Sequence, residues 1–143
     1  AMLDAAGQRL AGLLLGSLPP ADLPPLDRLR LFFLNRLRMI GDHPGIPQLV
    51  FSGQFAKALP QAGARTLRGA IRKSVEFLAR AAAEAAARGE VRTDVPSDEV
   101  VVLVMGSLLA RGLLAAQAAS PEAPLPDEAW GRLATVLAPQ SRK

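Results

Sequence analysis

Leu, Val, Phe and Ala recur along this chain at spacings of three and four, and in one segment they close up until hardly a polar position remains. Spacings of three and four place side chains on one face of an α-helix. In a first helix, from about Leu3 to Leu18, the residues Leu3, Leu10, Leu13 and Leu14 share a side. It ends before Pro19-Pro20, because the residue preceding a proline is pushed out of the helical region. The second segment runs from about Pro25, which suits a first helical position, to Gly41. Leu26, Leu29, Phe33, Leu37 and Ile40 form one stripe on it, and Phe32, Arg36 and Met39 a second beside it. After the turn Asp42-His43-Pro44-Gly45 comes a short third segment, Ile46 to Leu59, with Leu49, Val50, Phe51 and Phe55. A fourth, from about Gly63 to Arg88, buries Leu67, Ile71, Val75, Leu78, Ala82 and Ala85. Its Arg72, Glu76, Arg80, Glu84 and Arg88 alternate in sign every four residues, which reads as a solvated face. Gly89 stops it. Ser97 caps a fifth helix reaching Gln117, with Asp98 and Glu99 at the positive end of its dipole. A Pro-rich loop then leads to a short last helix on which Trp130, Leu133, Ala134 and Leu137 share a face. No alternating strand pattern occurs. The fold class is all-α, a bundle of about five to six helices.

The fifth helix raises a question of its own. A helix at the edge of a bundle needs one apolar face about 100° wide, yet Val100 to Leu114 is apolar nearly all round. Two packing surfaces are implied, one toward its own chain and one toward something else. Gly106, Ser107, Ala110 and Gly112 are small enough to admit a close neighbour. A second copy of the same helix, across a twofold axis, is the expected neighbour. The last helix is expected to supply the rest of that contact, with Val101, Leu108, Leu113, Trp130, Leu133 and Leu137 as its candidate residues. The alternative is a central helix wholly enclosed by its own chain.

Composition narrows the chemistry. The chain has 143 residues, enough for one domain with a real core. Cysteine is absent, which removes disulfides and thiolate metal sites and suits a reducing, cytoplasmic setting. The net charge of +4 is spread among interleaved acids, with no run of five like charges. It is therefore weak support for nucleic-acid binding. Arg65, Arg68, Arg72 and Lys73 cluster on the fourth helix but lack interleaved aromatics. The apolar run from Val100 to Ala110 falls short of the ~20 residues that cross a bilayer, so no membrane partner is expected. His43 is the single histidine and sits in a turn; alone it builds neither a metal nor a catalytic site. Ser52 and Ser74 have no base partner in the pattern. Asp42, Glu90 and Asp94 fit turn and cap roles. No cofactor is expected, and catalysis is not.

Three stretches in order, HPGIPQLVFSGQF (His43–Phe55), AAARGEVRTDV (Ala85–Val95) and PSDEVVVLVMGSLLARGLL (Pro96–Leu114), resemble the C-terminal regulatory domain of the tetracycline-repressor (TetR/AcrR) family of bacterial transcriptional regulators. The resemblance spans about Pro25 to Leu137. It implies a homodimeric domain, the last two helices of each copy pairing as a four-helix interface, that senses a small apolar or amphipathic effector. Residues 1–20 are then the helix linking this core to a DNA-reading head, and residues 21–143 the effector-binding and dimerisation domain. Effector occupancy is expected to tilt the linking helix, alter the separation of the two heads and weaken operator binding. The family's N-terminal helix-turn-helix is not in this sequence, so contact with DNA is expected only through that part of a longer protein.

A pocket for such an effector is expected to be apolar with few polar groups. Its candidate lining is Phe32, Phe33, Arg36, Met39 and Ile40 on the second helix, Phe51 and Phe55 after it, Phe77 on the fourth, and Met105 and Leu109 on the fifth. Arg36 has two readings. A buried guanidinium needs an anionic partner and would point to an anionic effector. A surface arginine would merely lay its stem over apolar area. The competing view of the whole chain is a structural or protein-interaction bundle without a small-molecule pocket.

Overall fold

A computed structural model of the chain describes residues 2–43, 45–46, 57–117 and 124–140, and the side chains of all these except 2–4, 116 and 117. Among them stand five α-helices and no strand: α1 (Met2–Gly16), α2 (Pro25–Asp42), α3 (Gln61–Ala87), α4 (Ser97–Gln117) and α5 (Pro126–Leu137). The all-α expectation holds. The third predicted segment falls almost wholly outside the described residues, and Phe51 and Phe55 with it.

α3 is the spine, packed by α1, α2 and α4, while α5 lies mainly across α2. One core joins α2, α3, α4 and α5 around Leu29, Phe32, Phe33, Leu78, Val104 and Leu137. A smaller one lies between α1, the end of α2 and the start of α3, around Leu10, Leu14, Met39, Leu67 and Ala70. Each buried Leu or Phe stabilises by about 1.5–3 kcal/mol, so these two clusters outweigh the surface ion pairs. Gly7 lets α1 close on α3, since a Cβ there would meet Leu59 at 3.2 Å.

The helix ends follow the expected chemistry with one exception. At the end of α3 the Glu90 N–H donates to the Ala85 carbonyl (2.9 Å) and the Gly89 N–H to that of Ala86 (3.0 Å), with Gly89 at φ +72°. That is the left-handed glycine stop read from the sequence. The following turn is sewn to α5 by the Arg92 N–H, which donates to the Leu137 carbonyl at 2.8 Å. The Arg92 Nε and Nη2 donate to the two carboxylate oxygens of Asp94, at 2.6 and 2.5 Å. Ser97, however, lies inside α4. The carbonyl of Pro96 takes the first helical bond, from Val100, so Pro96 holds the cap position.

Two stripes differ from expectation. On α3 the buried position is Ser74, fully enclosed, while Val75 is exposed. Glu84 leaves the solvated ladder and pairs with Arg28 of α2. That guanidinium is buried, and its Nε also donates to the Leu23 carbonyl at 2.9 Å.

α4 is apolar on two opposite sides. Val100, Val101, Val104 and Leu108 face the protomer's own core. Val102 and Leu114 are 57% and 64% exposed, with Gly106 and Ala110 exposed between them. Most of the residues named for a partner are covered by their own chain. Val101, Val104 and Leu108 are spaced by three and four, so they share one face, and that face is inside. Trp130, Leu133 and Leu137 have the same spacing on α5 and are buried likewise, Trp130 against Phe33 at 5.7 Å between ring centroids. Leu113 is half-buried.

Candidate functional site

Arg36 sits on α2 one turn beyond Phe32 and one turn before Met39 and Ile40, between the two cores. It is 5% exposed, which rules out the surface reading. Its Nε donates to Ser17 Oγ at 2.8 Å, and its Nη2 to the Leu14 carbonyl at 3.0 Å and to Ser74 Oγ at 2.7 Å. The guanidinium carbon lies 4.6 Å from the centre of the Phe32 ring, an added attraction for a cation. Both serines pass the interaction on. Ser17 Oγ donates to the Leu14 carbonyl (2.8 Å) and Ser74 Oγ to that of Ala70 (3.0 Å). One side chain therefore joins α1, α2 and α3.

The electrostatics are unusual. Among the described residues no carboxylate pairs with Arg36, and its Nη1 has no acceptor. The negative end of α1 is its one partial counter-charge. Leu14 supplies one of the last carbonyls of that helix, where cations are favoured by about 0.3–1 kcal/mol, up to ~2 when partly buried. Burial pushes the guanidinium well below its usual range, to about 10, which leaves it charged at neutral pH.

Beside it lies a cavity of about 110 Å³. Leu14 of α1 and Arg36, Met39 and Ile40 of α2 form one side, with Ile46 beyond. Ile71 and Ser74 of α3 and Met105, Leu108 and Leu109 of α4 form the other. Four helices thus meet on a hollow whose wall, among the described residues, is apolar apart from the guanidinium and one hydroxyl. Of the ten residues named from sequence, Arg36, Met39, Ile40, Met105 and Leu109 are brought together here. Phe32, Phe33 and Phe77 are not: Phe32 stacks on Phe77 at 6.1 Å, and Phe33 packs on Trp130. These rings fill the larger core, since an aromatic stripe on an inner helix face is used by packing first. Ser17, Leu14 and Ser74 were not foreseen. The signal for Ser74 was its place on the inner face of α3, where a hydroxyl needs a partner. Leu108, named from sequence for a partner, lines the cavity.

A second, more open hollow lies between α1 and α2, with Gly12, Ser17, Asn35, Arg38 and His43 in its wall. Asn35 Nδ2 donates to the Ser17 carbonyl there at 3.1 Å. Among the described residues no cluster of His, Cys, Asp or Glu is arranged to hold a metal, and no helix is long and apolar enough to cross a membrane.

No family model matches the chain, and no curated protein does. Among solved structures the chain is similar to a transcriptional regulator of the TetR/AcrR family from Thermobifida fusca YX-ER1, determined at 2.50 Å resolution. The TM-score is 0.56 at 20% identity, over 99% of this chain and 70% of that one. At that identity the likeness is one of fold: the chain shares the all-helical fold of that regulator.

Proposed function

We propose that this chain is the effector-sensing and dimerisation domain of a bacterial, cytoplasmic transcriptional regulator, not an enzyme. A small apolar or amphipathic molecule occupies the Arg36 cavity. Its arrival shifts α1, and α1 carries the change to DNA-reading heads elsewhere in the protein. The observation that carries this reading is Arg36 itself. It lines the hollow and also holds the last turn of α1 through Leu14 and Ser17, so a molecule at the guanidinium acts directly on that helix. The likeness in fold to a TetR/AcrR regulator supports the same reading.

The homodimer is proposed through the outer face of α4. Val102, Gly106, Ala110 and Leu114 recur every four residues there and are exposed, and a Cβ added at Gly106 would meet nothing within 4 Å. Val136 of α5 is likewise 51% exposed. Small residues flanked by Val and Leu admit the close approach of a twin helix.

A thermal-shift screen with lipophilic and amphiphilic compounds tests the sensing half. A ligand at a hundred times its Kd adds about 2.7 kcal/mol, or roughly 5–10 °C for a domain of this size. Absence of any shift across a broad library favours a bundle that only assembles.

A further inference from the structure

The guanidinium of Arg36 is enclosed and charged, and among the described residues only neutral groups hold it. Of its five N–H donors these residues engage three, through Ser17, Leu14 and Ser74, and leave the two on Nη1. A buried cation without a counter-ion is strongly unfavourable, and among the described residues the cavity that meets it is otherwise almost wholly apolar. Resting on the effector-sensing reading, we propose that the ligand is an anionic amphiphile, a monocarboxylate with a short apolar tail. Its carboxylate pairs with Arg36, and its tail lies among Met39, Ile71, Met105 and Leu109.

Charge and size limit the class. One guanidinium can neutralise a single negative charge; a phosphate dianion would leave a second charge buried. A cavity of about 110 Å³ approaches the ~150 Å³ that accommodates a benzene ring in an engineered apolar cavity. The tail is therefore a six-carbon alkyl chain or an aryl ring, not a long acyl chain.

Calorimetric titration of the whole chain with hexanoate against 1-hexanol, and benzoate against benzyl alcohol, tests this at pH 7. The acid of each pair is expected to bind roughly 10–100-fold more tightly, as a charge-assisted hydrogen bond allows. Arg36→Met is expected to keep the alcohols and lose the preference. The acid-to-alcohol ratio of the unaltered chain decides the matter even if that variant fails to fold. Acids no tighter than alcohols, or a preference that survives Arg36→Met, overturn the carboxylate assignment and leave the sensing reading in place. Binding of neither member of a pair overturns both.

Discussion

Arg36 Nη2 donates to Ser74 Oγ across 2.7 Å, and Ser74 hands the bond on to the carbonyl of Ala70, one turn back on its own helix. Ser74 is fully buried, so water cannot replace it at little cost. Ser74→Ala is expected to lower stability by about 1–3 kcal/mol, the cost of leaving a buried donor unmet. Urea unfolding checks this: the midpoint should fall while the slope stays the same.

Two glycine-to-alanine changes are expected to move stability in opposite directions. At Gly89, φ is +72°, and an alanine there costs about 1–2 kcal/mol of backbone strain. At Gly106 the backbone is helical and the space beside it open, so an alanine gains about 0.8–1 kcal/mol of helix propensity in the protomer. Thermal unfolding at low concentration separates the two.

Neighbouring valines on α4 should answer differently to the same charge. Val102→Glu is expected to leave the helical circular dichroism intact and to reduce the sedimenting mass from a dimer's to the single chain's 15.1 kDa. Val101→Glu places a carboxylate at a position 7% exposed and is expected to unfold the chain. A folded Val102→Glu variant that still dimerises would exclude this face as the interface.

The acid limb of the stability curve should carry the mark of Asp94. The hydrogen bond from Arg92 holds its carboxyl below the usual range. Its contribution is therefore present above the unfolded carboxyl value of 3.8 and fades as the pH drops through the lower folded value. Asp94→Asn is expected to flatten the stability profile below pH ~4 and to leave the region above pH 6 parallel to that of the parent. Denaturant midpoints measured across the acid range test it.

The helices were legible in the sequence because they are long, strongly periodic and punctuated by proline and glycine. Gly89 was read correctly for a local reason: the stop depends on one residue's tolerance of positive φ. The unusual character of α4 was legible as well, but which side faced outward was not. Periodicity gives relative angles, and residues two apart differ by about 200°, so the pattern separates Val102 from Val104 without saying which one the protomer covers. Only the neighbouring helices decide that. Arg36 was recognisable as an oddity among Phe32, Phe33, Met39 and Ile40. Its partners were not, because Ser17 and Ser74 lie 19 and 38 residues away in sequence. A lone serine on an inner face carries no mark of what it will meet.

The tie between Arg92 and Leu137 is made of main chain alone. Substitutions that preserve the local backbone leave its donor and acceptor in place, so the outward residues of α5 can vary freely while its foot stays moored to the loop that opens α4. Related proteins could thus exchange one set of outer contacts for another and still hold the two final helices in step. The mooring separates the choice of partner from the integrity of the bundle.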